Sequence, residues 1–182
     1  MRVETTPIEG LLVITPDVFE DDRGCFLETY HRGRYEEAGI REAFVQDNLS
    51  VSKRGVLRGL HFQRSPHAQG KLVSVIRGRV WDVAVDIREG SPTFGRWHGV
   101  ELSGENRKQF WIPAGFAHGF VALEGDTIFA YKCTDVYAKE CEGGIRWDDP
   151  DLAIDWPISE DEVIVSEKDR ELPMFREMKN PV

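Results

Sequence analysis

The chain has 182 residues, 41 % of them hydrophobic and 10 % aromatic, enough to fill one sizeable core without disulfide or metal staples. A formal charge of −9 and an isoelectric point near 5.1 argue against a general nucleic-acid or membrane surface, because both select a basic face. Cys25, Cys133 and Cys141 are odd in number and form no CxxC pair, the usage of free thiols in a reducing compartment; with no leader-like or membrane-length apolar stretch, a cytoplasmic protein is expected.

In chain order, strand-like runs cover residues 10–19 and 25–30, and a short helix is predicted over 32–38, closed by Gly39. Further strands are predicted over 44–52 and 56–63. From Lys71 to Arg88 the chain is rich in β-branched residues, with Arg77-Gly78 in the middle, which predicts a hairpin. Within it Trp81, Val83, Val85 and Ile87 alternate with Val80, Asp82, Ala84 and Asp86, a period of two. Strands follow over 96–102, 109–112, 119–123 and 127–135, and a last helix is predicted over 166–178, where Ser166-Glu167-Lys168-Asp169 resembles a capping box. No repeat or linker divides the chain. The expectation is a single domain over 1–182, all-β, a sandwich or barrel with short peripheral helices.

Two histidines carry the chemistry. His61 lies in Arg58-Gly59-Leu60-His61-Phe62-Gln63, on an apolar strand where an imidazole is either a packed side chain or a general base. Plain alternation sets Arg58 and His61 on opposite faces, so they share a pocket only if the strand is bulged, and Gly59 permits that. His118 follows a Pro113-x-Gly115 turn, as in metal-binding cupins. The strand of His61 offers His-Phe-Gln rather than His-x-His, however, so the ligand set is incomplete and no metal is expected. Tyr131 reads equally as a core phenol, Asp169 as a helix-capping carboxylate, and Lys71, Arg23 and Arg58 as solvated charges.

Seven blocks in order change the weight of these readings: Asp22-Arg23-Gly24-x-Phe26-x-Glu28, Gln46-Asp47-Asn48-x-Ser50, Val56 to Gln63, Lys71-Leu72-Val73, Pro113-x-Gly115-x-Ala117-His118-Gly119-Phe120, Tyr131-Lys132-x-Thr134-Asp135-x-Tyr137 and Ser166-x-Lys168-Asp169. With them the chain closely resembles the dTDP-4-dehydrorhamnose 3,5-epimerases over essentially its whole length. The resemblance implies a cupin-like jelly-roll β-barrel, a homodimer with shared active sites, and no metal or other cofactor. It implies His61 as the base, Asp169 as its partner carboxylate, Tyr131 as the acid on the other side of the sugar, and Lys71 at the C4 oxygen. Arg58, His118, Glu142 and Lys168 would hold the substrate and Tyr137 would stack on thymine. Arg23, Glu28, Gln46, Asp47 and Asn48 would bind nucleotide, partly across the dimer.

The chemistry agrees with those residue types. Protons on C3 and C5 flank the C4 ketone of dTDP-4-dehydro-6-deoxyglucose, so their removal gives an enolate whose charge falls on one oxygen that a lysine can stabilise. A carboxylate on the far nitrogen of an imidazole fixes its tautomer. Inversion returns the proton from the opposite face, where a phenol can supply it, and Arg23 and Arg58 suit a diphosphate. The alternatives are epimerisation at C3 only or C5 only, a metal-dependent cupin oxygenase, and a non-catalytic sugar-nucleotide binding module.

Overall fold

The computed structural model describes residues 1–178. Its strands are β1 (Arg2–Thr5), β2 (Leu12–Thr15), β3 (Val18–Asp21), β4 (Gly24–Leu27), β5 (Gln46–Ser52), β6 (Leu57–Gln63), β7 (Lys71–Arg77), β8 (Arg79–Asp86), β9 (Trp97–Ser103), β10 (Gln109–Ile112), β11 (Phe116–Ala122), β12 (Thr127–Cys133) and β13 (Glu142–Gly144). Two helices join them, α1 (Arg32–Glu37) and α2 (Glu167–Arg170). A six-stranded sheet runs β1-β2-β10-β7-β12-β5 and faces a five-stranded sheet, β13-β6-β11-β8-β9, while β3 and β4 form a separate hairpin. The two sheets stay open at their edges, so the jelly roll is a flattened sandwich rather than a closed barrel. Among the described residues no helix is long and apolar enough to cross a membrane.

Strand alternation builds the space between the sheets. Val73 and Val75 of β7, Phe110 and Ile112 of β10, Val80 and Ala84 of β8, and Phe116 and Phe120 of β11 all belong to one buried cluster contributed by both sheets. Phe110 and Ile112 are almost completely buried, and each such side chain contributes about 1.5–3 kcal/mol relative to exposure. Polar residues occupy the same inward rows: Lys71 precedes Val73, Tyr131 follows Phe129, His118 sits between Phe116 and Phe120, and Asp82 lies between Val80 and Ala84. One sandwich interior is therefore partly core and partly site.

Three expectations are corrected. Residues 71–88 do not form a hairpin: β7 pairs with β10 and β12, whereas β8 pairs with β11 and β9. Gly78 is a corner at which the chain leaves one sheet for the other. Its φ is +81°, and a Cβ there would stand 2.4 Å from Thr127 Oγ1, so glycine is required. The final helix is one turn, not 166–178. Pro173 cannot donate a backbone hydrogen bond and disfavours helical geometry at Leu172, and the chain resumes only as a 3₁₀ turn at Phe175–Glu177. The predicted strand 10–19 breaks at Pro16 into β2 and β3. Helix α1 matches its predicted position, with Gly39 just beyond it at φ +98°.

Candidate active site

The bulge anticipated at Gly59 is present. On β11 the partners of β6 pass from His118↔His61 to Phe120↔Arg58, two residues against three, so β6 carries one extra residue. Gly59 has φ +130°, and a Cβ on it would lie 2.5 Å from Gly119 Cα. The bulge turns Arg58 and His61 to the same side. Both line a cavity of about 470 Å³ together with Lys71, His118, Tyr131 and Asp169.

His61 is held from the far end of the chain. Its Nε2 lies 2.6 Å from Asp169 Oδ1, and Asp169 Oδ2 also accepts the Gly59 N–H at 3.3 Å. Ser166 caps α2 by accepting the Asp169 backbone N–H at 3.1 Å. The Asp169 carboxylate does not complete a capping box: it leaves its own helix and faces His61, because α2 packs against the bulge. Burial alone would raise Asp169, but hydrogen bonds from His61, Gly59 and Ser166 hold it below the usual carboxylate value. With Nε2 directed at the carboxylate, Nδ1 is the ring nitrogen left for the cavity.

Across the cavity the six-stranded sheet supplies Lys71 and Tyr131. Burial lowers Lys71 from its ordinary value, opposed by Cys133, Asp82 and Glu142. Tyr131 is raised by burial, with Arg58 pulling the other way, so its phenol keeps its proton at neutral pH. The inward row of β5 is polar: Gln46, Asn48, Ser50 and Ser52. Arg58 Nε donates to Ser52 Oγ at 3.3 Å, and Asn48 Nδ2 lies 3.6 Å from Cys133 Sγ.

A second compartment of about 310 Å³ shares His61, Lys71 and Tyr131 with the first and adds Gln46, Asn48, Tyr137 and Glu142. Glu142 Oε2 accepts from Lys168 Nζ at 2.6 Å and from Tyr137 OH at 3.0 Å. These bonds outweigh the upward push of burial on Glu142. Three of the sequence candidates stand elsewhere. Arg23 pairs with Asp21 in the β3–β4 hairpin, Glu28 pairs with Arg34, and Asp47 points from the outer face of β5 to Lys132.

Sequence reasoning missed Asp82. It is fully buried on β8, with its two carboxylate oxygens 2.9 and 3.1 Å from His118 Nε2. Two aspartates in the apolar run 80–87 were the available signal, since buried acids need partners. Among the described residues no group of three or more His, Cys, Asp or Glu side chains converges as a metal site.

A family model described as dTDP-4-dehydrorhamnose 3,5-epimerase matches residues 5–177. The chain belongs to that family and is an isomerase. It is 55 % identical over 182 residues to the dTDP-4-dehydrorhamnose 3,5-epimerase of Methanothermobacter thermautotrophicus, covering all of this chain and 97 % of the relative. The crystal structure of a Legionella pneumophila dTDP-6-deoxy-D-glucose-3,5-epimerase in complex with dTDP-4-keto-L-rhamnose matches with TM-score 0.94 at 55 % identity, over 98 % of this chain and 94 % of that one. A 3′-monoepimerase from Streptomyces bikiniensis, in complex with dTDP-quinovose, matches with TM-score 0.87 at 35 % identity, over 93 % and 85 %. The fold is the cupin-like jelly roll that the sequence blocks implied.

Proposed function

We propose that the protein inverts C3 and C5 of dTDP-4-dehydro-6-deoxy-D-glucose, giving dTDP-4-dehydro-L-rhamnose in the cytoplasm. The observation that carries this reading is the opposition of His61, paired with Asp169 on the five-stranded side, to Tyr131 on the six-stranded side. A sugar lying between them has a base on one face and an acid on the other. His61 Nδ1 removes the proton next to the ketone, and Asp169 holds the imidazolium that forms. Lys71 carries the developing charge on the C4 oxygen, its lowered affinity for protons suiting it to share one with an enolate. Tyr131 gives a proton to the carbanion from the opposite face; His61 then releases its proton to solvent, the Tyr131 phenolate takes one back, and the same two transfers repeat at the second carbon. Inversion at both carbons is supported by the 55 % identity to two 3,5-epimerases, against 44 % to a dTDP-4-dehydrorhamnose 3-epimerase of Streptomyces niveus and 35 % to the 3′-monoepimerase.

Arg58 takes a phosphoryl oxygen, and His118 the sugar. Gln46, Asn48, Tyr137, Glu142 and Lys168 form the nucleotide end, with Tyr137 stacking on thymine. Arg23, Glu28 and Asp47 lie off this cleft and serve that of a second copy in a homodimer. In support, Phe19 and Phe26 of the Arg23 hairpin and Leu49, Val51 and Ile76 of the sheet are exposed apolar side chains.

The test is incubation with dTDP-4-keto-6-deoxyglucose in deuterated water, followed by NMR. Deuterium at both C3 and C5 with inverted product is expected. Exchange at one carbon alone reduces the reading to a monoepimerase, and nucleotide binding without exchange at either carbon overturns it.

A further inference from the structure

His118 and Asp82 form a second imidazole–carboxylate pair, directly opposite the first: His118 and His61 are register partners on β11 and β6. Asp82 is wholly buried and His118 nearly so. Both carboxylate oxygens of Asp82 face Nε2 and act as acceptors, so that nitrogen carries the ring proton. Burial, aided by the neighbouring Lys71 and His61, holds His118 below the ordinary histidine value despite Asp82, which keeps the ring neutral. Its Nδ1 is then a bare acceptor. Among the described residues nothing bonds to that nitrogen, and His118 lines the main cavity.

A bare acceptor can hold only a donor. The C4 ketone oxygen has no proton, so it falls to Lys71. The remaining donors on the sugar are its hydroxyls at C2 and C3. The C3 hydroxyl swings to the other face when C3 inverts, whereas the C2 hydroxyl keeps its place through both proton transfers. On the reading of function given above, we infer that His118, fixed by Asp82 as the Nε2–H tautomer, accepts a hydrogen bond from the sugar's C2 hydroxyl through Nδ1 and makes the enzyme selective for 2-hydroxylated over 2-deoxy 4-keto sugars. Asp82 is the positioning residue of this contact. It touches no substrate and acts through the imidazole.

The experiment compares the natural dTDP-4-keto sugar with its 2-deoxy analogue and reads the His118 ring by ¹⁵N NMR. The wild type is expected to favour the 2-hydroxylated sugar by about tenfold or more in kcat/KM, the effect of leaving one buried acceptor unmet. In His118→Ala this preference is expected to fall towards one, whatever turnover remains. The wild-type ring is expected as a neutral Nε2–H imidazole at neutral pH, and Asp82→Asn is expected to mix the tautomers and shrink the preference. Equal handling of the two sugars by the wild type, an undiminished preference in His118→Ala, or a wild-type ring that is charged or Nδ1–H overturns the inference. An unchanged ring spectrum in Asp82→Asn removes Asp82 from it. Turnover of the natural sugar in the same samples reports separately on the epimerase reading, and the wild-type measurements decide the matter even if Asp82→Asn fails to fold.

Discussion

The two imidazole–carboxylate pairs use the same chemical groups in different surroundings. His61 draws Asp169 from α2, 108 residues later, and its side chain is 30 % exposed; His118 draws Asp82 from the neighbouring strand, 36 residues earlier, and is 8 % exposed. A general base takes a proton and must later release it, which requires a path to solvent and a partner that favours the charged ring. A group that only holds the substrate is better kept neutral and fixed, and burial does both. On the proposed mechanism pair geometry alone does not separate the roles, and access and burial do.

The largest effect expected to expose that difference comes from His61→Ala. It should lower exchange at both carbons on the order of 10⁴-fold, the upper end for general-base removal, while dTDP affinity stays near wild type. Retained exchange would make His61 a packing residue and leave the His61–Asp169 pair without a task. Tyr131→Phe should follow. The phenol is assigned only to reprotonation, so inversion should slow about 10²–10⁴-fold while deuterium still enters the substrate with its original configuration. NMR of one sample reads both, and equal losses would end the division of labour between the two faces.

Part of the site was legible in the sequence, and the exceptions have physical causes. Gly59, on a strand whose plain alternation separates Arg58 from His61, was enough to admit the bulge that joins them. Asp82 was overlooked because it reads as one more residue on the polar side of an alternating strand, yet both faces of β8 are buried. Arg77-Gly78 looked like a hairpin turn because local sequence reports that a chain bends, not which sheet receives it. Glu142-Gly143-Gly144 gave no strand signal, since its pairing with His61, Phe62 and Gln63 is imposed by the edge of β6. The length of α2 was overestimated because the capping signal at Ser166 was weighed without Pro173.

Asp169→Asn sharpens the comparison through charge at nearly constant shape. Turnover should fall on the order of 10²-fold, and more steeply than stability. Because the folded-state value of Asp169 is depressed, its ionised form adds stability above the ordinary carboxylate value near 3.8, and that contribution disappears as pH falls through the lower folded value. Urea melts of wild type and variant should therefore differ most near neutrality and converge below about pH 4. A gap that persists in acid would mean that the carboxylate's shape matters rather than its charge.

The smallest effect should come from Ser166→Ala, which leaves Asp169 in the chain and removes only the hydroxyl that caps its turn. Losing an N-cap costs about 0.5–2 kcal/mol, and each kcal/mol lowers Tm by about 2–4 °C in a chain of this size. Loosening α2 gives the carboxylate other positions, so turnover should drop a few-fold, with KM for the nucleotide sugar changing less. Ser166→Asp, whose side chain also caps, should restore most of both. The His118–Asp82 pair provides the control: Asp82 is held by strand pairing and not by a cap, so the ¹⁵N signals of His118 should stay unchanged in Ser166→Ala while those of His61 shift. Movement of both rings together would show that the two pairs are coupled through the bulge, and that the His61–Asp169 pair cannot be loosened independently of His118 and Asp82.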